Sequence, residues 1–245
     1  MAIGIMGAME EEIAGLIEAM GPDRSTKSHG GRTYHRGSLF GREAVVVFSR
    51  WGKVAAATTA THLLVAEDVR EILFTGVAGG ADPGLRVGDV VVAASLVQHD
   101  MNAAPLFPRH EIPLLGRSAF ATDEARTAAA LAAARRFLAS PPQAGAAFGI
   151  EAPRAVLGAI ASGDKFFADR SELLELCGRL PGLACVEMEG AAVAQVCHEY
   201  GVPLTVIRTI SDAADEGAPH DFARFVADVA SRWSVGILRE LLAGT

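Results

Sequence analysis

An α/β fold built on a wound sheet is what this chain predicts, and three observations carry the prediction. Half of its 245 residues are hydrophobic, while only 6% are aromatic. A core of that makeup is assembled from Ala, Val, Leu and Ile, as in sheets buried between helices on both faces. Short apolar runs alternate with stretches of helical period from one end of the chain to the other. Nothing resembling a linker interrupts the alternation, so residues 1–245 read as one domain, long enough to bury most of its apolar surface.

Ile3–Met6 is a first strand that ends at Gly7, and a helix over Glu10–Met20 follows it almost without a loop. Ala44–Phe48 is the next strand, with a helix over Lys53–Glu67 after it. Ile72–Thr75 runs into the glycine-rich segment Gly76-Val77-Ala78-Gly79-Gly80, and Val90–Ala94 is a further strand. Asp100–Arg117 holds three prolines and shows no period. So long a loop in a compact domain is a lid, a binding loop or an oligomer contact, or else a plain surface excursion. Glu124–Ala139, rich in Ala, is a helix, and Ala155–Ala161 and Leu204–Ile210 are strands. Ser171–Arg179, Glu189–Tyr200 and Phe222–Leu242 complete the helices.

The formal net charge of -7, with no Lys/Arg run, excludes a protein that tracks nucleic-acid phosphates on a basic face. Cys177, Cys185 and Cys197 make no C-x-x-C pair, which fits a reducing compartment, supplies no metal framework and leaves them as small core residues. His99-Asp100 lacks a third ligand at suitable spacing. No apolar segment reaches the roughly 20 residues of a membrane-spanning helix. The opening Met-Ala-Ile-Gly-Ile-Met-Gly has no basic region followed by a long apolar stretch. A cytoplasmic protein without metal, membrane or nucleic-acid partner is expected.

Three strand ends deliver carboxylates. Gly7-Ala8-Met9-Glu10-Glu11-Glu12 puts three acids into a first helical turn, where the helix dipole accounts for two of them. Ligands of open α/β sheets sit at the carboxyl ends of strands, so the remaining acid is a site candidate. In Val186-Glu187-Met188-Glu189-Gly190 a persisting strand would send Glu187 and Glu189 to one face, although helix capping explains them equally well in isolation. Arg208-Thr209-Ile210-Ser211-Asp212 closes the strand that starts at Leu204, and capping by Ser211 or Asp212 is again the plain alternative. Collected at one sheet edge, Glu12, Glu189 and Asp212 look like an acid/base site. The glycines of Gly76–Gly80 let a ligand approach the backbone closely. That segment has neither the Lys-Ser/Thr ending of a P-loop nor the G-x-G-x-x-G pattern, so no triphosphate or dinucleotide is implied.

The ordered series Ile3–Glu12, Gly52-Lys53-Val54-Ala55-Ala56-Ala57, Thr75-Gly76 with Ala78-Gly79-Gly80, Val87-Gly88-Asp89, His99-Asp100, Ser162-Gly163-Asp164, Val186-Glu187-Met188-Glu189, and Arg208 with Ile210-Ser211-Asp212 spans the chain. It resembles the 5′-methylthioadenosine/S-adenosylhomocysteine nucleosidases of the purine nucleoside phosphorylase superfamily. The resemblance implies a three-layer α/β/α sandwich with a mixed central sheet, where composition alone suggests a parallel one. It further implies a homodimer without cofactor that hydrolyses the N-glycosidic bond of 5′-substituted adenine nucleosides.

By the same resemblance Asp212 protonates or hydrogen-bonds N7 of adenine, Glu189 holds the ribose hydroxyls, and Glu12 activates water, with Arg208 orienting Glu12 or that water. Phe166 stacks on the base and Phe167 offers backbone bonds, unless both are simply core residues. Met9 and Met188 flank the sugar, Phe222 covers the 5′ substituent, and Trp51, Val77, Ala78, Gly79, Glu187 and Ser211 complete the substrate-binding wall. Burial without a cationic partner disfavours a carboxylate, so Asp212 is expected to keep its proton at neutral pH. Negative charge on Glu189 and Glu12 would stabilise an oxocarbenium ion in a dry pocket.

The chain departs from the family pattern in three places. Val77 stands where the family usually has serine, which removes a hydroxyl and, beside the Glu12 carboxylate, makes a phosphate dianion an unsuitable guest. Arg50-Trp51 replaces a Gly-aliphatic pair and alters the sugar side of the pocket, and the segment after His99-Asp100, from Met101 to Phe107, also differs. The alternatives are a phosphate-dependent phosphorylase, told apart by a ribose 1-phosphate product, and a nucleoside-binding protein without turnover.

Overall fold

A computed structural model of the chain describes residues 2–140, 145, 148–214, 222 and 225–243. Its strands are β1 (Ile3–Gly7), β2 (Ser25–His29), β3 (Arg32–Leu39), β4 (Arg42–Phe48), β5 (Ile72–Gly80), β6 (Val90–Gln98), β7 (Ala119–Ala121), β8 (Ala155–Ser162), β9 (Leu183–Glu187) and β10 (Leu204–Asp212). Its helices are α1 (Glu10–Ala19), α2 (Lys53–Val65), α3 (Glu124–Leu138), α4 (Arg170–Arg179), α5 (Gly190–Tyr200) and α6 (Ser231–Ala243), the last preceded by a π-helical turn over Val226–Ala230. Residues 223–224 of the helix expected over Phe222–Leu242 lie outside the described residues.

All ten strands belong to one sheet, and it is mixed. β1 is parallel to β4 and β5, and β5 to β10, whereas β10 runs antiparallel to β6, and β9 antiparallel to β5. β6 and β8, and β8 and β9, are parallel. β5, β10, β6, β8 and β9 therefore close into a ring, from which β1, β4, β3 and β2 extend as a wing. The parallel sheet suggested by composition is corrected here. The antiparallel part of the wing, β4, β3 and β2, is made by two-residue turns at Gly30-Gly31 and Phe40-Gly41, whose positive φ angles suit tight hairpins.

Alternation along the strands builds the three layers. Ile3, Ile5, Ala44, Val46, Leu73, Val90 and Val92 pack with Ile13, Leu16, Ala130, Trp233 and Ile237 of α1, α3 and α6. Met6, Val45, Val47, Phe74, Val91 and Val206 face the other way, onto Ala56, Ala60, Leu63, Ala191, Val193 and Ala194 of α2 and α5. Both faces are covered, which is why these strands read as uninterrupted apolar runs. Leu173 and Leu176 of α4 close a third cluster with Ala161, Phe167, Val186 and Ala214 at the strand ends.

Cys177, Cys185 and Cys197 are free, and burial pushes the thiols of Cys185 and Cys197 well up. Among the described residues no helix is long and apolar enough to cross a membrane.

Candidate active site

The edge of β5 changes partner partway along. β1 pairs with it only as far as Phe74, because β1 ends at Gly7 and turns into α1, and β9 takes the same edge at Gly79 and Gly80. Between the two, the N–H of Val77 donates to Glu12 Oε1 at 3.1 Å. Glu12 Oε2 accepts the N–H groups of Ala8 at 2.6 Å and Met9 at 3.0 Å, the second being half of a capping box. One carboxylate thus starts α1 and fills the gap in the sheet. Glu10 and Glu11 of the same turn are exposed, while Glu12 is 1% exposed. Burial pushes its pKa up to about 7, against the opposing pull of Arg208 and of the three backbone donors.

Gly76 makes this placement possible, since a Cβ there would stand 2.7 Å from Glu12 Oε1. At Gly79 a Cβ would stand 3.0 Å from Asp212 Oδ1 and 2.8 Å from the Cβ of Ala214. The small residues of this glycine loop admit two carboxylates at close range.

Glu187 and Glu189 take different tasks at the end of β9. Glu187 accepts the N–H of Gly190 at 2.9 Å and the hydroxyl of Ser162, and pairs with Arg208 Nη2 at 2.7 Å. It therefore serves as the cap of α5. Glu189 makes no capping bond and accepts instead the N–H of Gly52 at 2.8 Å. Burial first, then the charge of Glu187, raises the pKa of Glu189. Asp212, at the end of β10 and 2% exposed, accepts the Ser211 hydroxyl at 2.7 Å and the N–H of Ala214 at 2.8 Å.

Glu12, Glu187, Glu189 and Asp212 line one cavity with Met9, Trp51, Val77, Ala78, Gly79, Phe166, Phe167, Met188 and Phe222. Ala8, Lys165, Val186 and Ala214 complete the wall. Sequence reasoning did not single out these four as lining residues, although Ala8 and Val186 lie inside motifs it had named, Lys165 follows one directly and Ala214 stands two residues beyond another. Arg208 and Ser211, expected in the site, are not on its wall. The guanidinium of Arg208 donates to Glu187 and to the carbonyls of Phe74 and Ile207, so it acts on Glu12 through charge alone. Ser211 stands behind Asp212.

The remaining motifs lock the rim. Lys53 Nζ donates to Asp100 at 2.6 Å and to Gln98 at 3.1 Å, while Asp164 accepts the N–H of Lys53 at 2.8 Å and donates its own N–H to Asp100. Gly163 lies so close to His99 that a Cβ would fall 2.3 Å from the imidazole. Among the described residues no group of three or more His, Cys, Asp or Glu is placed to hold a metal ion.

The chain that builds this carboxylate-lined cavity at the strand ends of an α/β/α sheet falls in a known class: residues 2–243 fit the model of the Phosphorylase superfamily. The 5′-methylthioadenosine/S-adenosylhomocysteine nucleosidase of Colwellia psychrerythraea is 35% identical over 242 residues, covering 98% of this chain and 96% of that protein. The aminodeoxyfutalosine nucleosidase of Helicobacter pylori is 36% identical over 224 residues, 91% of each. The crystal structure of the Neisseria meningitidis 5′-methylthioadenosine/S-adenosylhomocysteine nucleosidase with methylthio-immucillin-A superposes with a TM-score of 0.89 at 32% identity, covering 100% of this chain and 99% of that one. The chain belongs to the phosphorylase superfamily and, within it, to the family of these nucleosidases.

Proposed function

We propose that this chain hydrolyses the N-glycosidic bond of 5′-substituted adenine nucleosides, of the kind named by its methylthioadenosine, adenosylhomocysteine and aminodeoxyfutalosine relatives, to adenine and the free ribose derivative. The observation that carries the reading is the convergence of Glu12, Glu189 and Asp212 on one cavity.

Adenine leaves poorly as an anion. Asp212 acts as the general acid at N7, a contribution of about 10²–10⁴-fold. Glu189, held by the Gly52 N–H, accepts hydrogen bonds from the ribose hydroxyls. As the bond stretches the sugar becomes an oxocarbenium ion, and the negative charge of the buried carboxylates stabilises it in a site with little water. Glu12 is the base that activates water. Its Oε2 is occupied by two N–H donors and its Oε1 by one, which leaves a lone pair on Oε1 for the nucleophile. A pKa of about 7 suits a base that works at neutral pH. Phe166, partly exposed at the wall, stacks on the base; Phe167 is packed into the third cluster and offers its backbone.

Water is favoured over phosphate by the charges present. Arg208 is committed to Glu187, and Lys165 Nζ to Glu172 at 2.6 Å, while Glu12 and the methyl groups of Val77 face the cavity. A dianion would meet carboxylates there.

The chain works as a cytoplasmic homodimer in this reading. Unpaired cysteines support the compartment. Exposed Val54, next to the Lys53–Asp100 tie, and exposed Leu106 and Leu114 in the loop that begins at Asp100 support the dimer.

The test is to incubate the purified protein with methylthioadenosine and with adenosylhomocysteine, with and without phosphate, and to chromatograph the products. Adenine and free sugar are expected at equal rates in both buffers. Release that requires phosphate and yields ribose 1-phosphate would replace hydrolysis by phosphorolysis, and no release would leave a binding protein.

A further inference from the structure

We infer that Asp164 is a positioning residue for the sugar contact: it fixes the N–H of Gly52 on Glu189 and so governs how well the site holds the ribose hydroxyls. The inference rests on the nucleosidase reading above, which assigns those hydroxyls to Glu189, and adds to it a residue that is not among those lining the cavity.

Gly52 is the N-cap of α2 and has no side chain with which to cap it. Asp164, from the connection between β8 and α4, does so instead, its Oδ1 accepting the N–H of Lys53 at 2.8 Å. The preceding N–H, that of Gly52, goes to Glu189 Oε1, also at 2.8 Å. Two successive backbone donors are thus taken by two carboxylates, one on the cavity wall and one outside it. Only φ and ψ of Gly52 separate these donors, so fixing the second aims the first. Gly52 takes a φ of 89°, which glycine adopts without strain, and a Cβ there would stand 2.9 Å from Asp164 Oδ1. Asp164 therefore rests against the turn as well as bonding to it.

Asp164 is held in its turn. Its own N–H donates to Asp100 Oδ2 at 3.0 Å, and Asp100 Oδ1 accepts Lys53 Nζ at 2.6 Å. Lys53, Asp164 and Asp100 close a ring drawn from three motifs, Gly52-Lys53-Val54, Ser162-Gly163-Asp164 and His99-Asp100, whose polar side chains the catalytic scheme leaves idle. Burial works against a charge on Asp100, but the Lys53 ammonium and the Asp164 N–H outweigh it and hold the carboxyl below the ordinary range. At Glu189, burial and then the charge of Glu187 favour the protonated form, and the Gly52 N–H is the foremost influence opposing them, ahead of Arg208. A Glu189 released from that N–H is a poorer acceptor for two hydroxyls.

Asp164 is exposed, so its truncation empties no core, and its backbone N–H to Asp100 survives the change and keeps Phe166 and Phe167 in place. The experiment compares kcat/KM for methylthioadenosine and for its 2′,3′-dideoxy counterpart in the wild type, Asp164→Ala and Asp164→Asn. Asp164→Ala is expected to lower the value for methylthioadenosine about tenfold, the worth of a hydrogen bond to a charged group, and to leave the dideoxy substrate within about twofold. Asp164→Asn, which keeps an oxygen for the Lys53 N–H, is expected to restore most of the loss. An equal fall on both substrates would make Asp164 a merely structural residue, and no fall on either would show that Gly52 needs no aiming; each result overturns the inference.

Calorimetry supplies a readout apart from turnover. With turnover suppressed by Asp212→Asn, adding Asp164→Ala is expected to raise the Kd of methylthioadenosine about tenfold and to leave that of the dideoxy nucleoside within about twofold. A parallel rise in both, or a rise in neither, would contradict the inference. Failure of the wild type to release adenine from any nucleoside would instead contradict the nucleosidase reading, and these titrations would still decide what Asp164 does.

Discussion

Arg208 and Glu187 form a buried ion pair, Nη2 to Oε2 at 2.7 Å, directly behind a cavity wall that carries three further carboxylates. Removing one partner strands the other charge without water. Arg208→Met is therefore expected to lower the free energy of unfolding by about 3–5 kcal/mol in a urea titration. The guanidinium also pulls the Glu12 pKa down, so whatever activity remains should show its acid limb at higher pH than wild type.

Gly76→Ala tests the close approach of β5 to Glu12. Its backbone is not in the left-handed region, so the effect is steric, from a Cβ 2.7 Å from Oε1. A loss of about 1–3 kcal/mol in stability is expected for such overpacking, with kcat falling more steeply than KM rises. A fully active Gly76→Ala enzyme would show that Glu12 is free to sit elsewhere.

Val77→Ser returns a hydroxyl to the cavity wall beside Glu12. Weaker desolvation of the carboxylate should bring its pKa down towards the ordinary range, so the acid limb of kcat/KM is expected to move to lower pH. An unmoved limb would mean that another group governs it.

Stability should also depend on Glu12. Its folded-state pKa of about 7 lies above the ordinary 4.5, so the folded protein binds the extra proton. The resulting stabilisation is complete below pH 4.5 and is lost as pH rises through about 7, an amount on the order of 3 kcal/mol. Buried His99 and His110, whose pKa values burial holds down, act in the opposite sense at and below the ordinary histidine range. The informative quantity is thus the difference between wild type and Glu12→Gln. From pH 6.5 to 8 the wild-type Tm is expected to fall more steeply than that of Glu12→Gln, by calorimetry, and equal slopes would remove the buried proton from the account.

Much of the fold was legible because both faces of the central strands are covered, which wrote Ala44–Phe48 into the sequence as an unbroken apolar run and Leu204–Ile207 as a mainly apolar one. β2 was not, since all five of its residues are exposed and no apolar alternation marks it; only the Gly30-Gly31 turn was there to be read. At the site, Glu12 separated itself from Glu10 and Glu11 only once β1 was seen to stop short along β5. The Glu187–Arg208 pair joins the end of β9 to the middle of β10, two strands that flank β5, a contact that topology creates and local sequence does not show. Capping and chemistry, equally good explanations for Glu187 and Glu189 in sequence, turned out to be divided between them.

The most direct test of the account is the kcat/KM of Asp212→Asn for methylthioadenosine, with folding checked by circular dichroism. Asparagine keeps an acceptor for the Ala214 N–H but has no proton to give to N7, so a fall of about 10²-fold or more with an unchanged spectrum is expected. Turnover close to that of the wild type would contradict it.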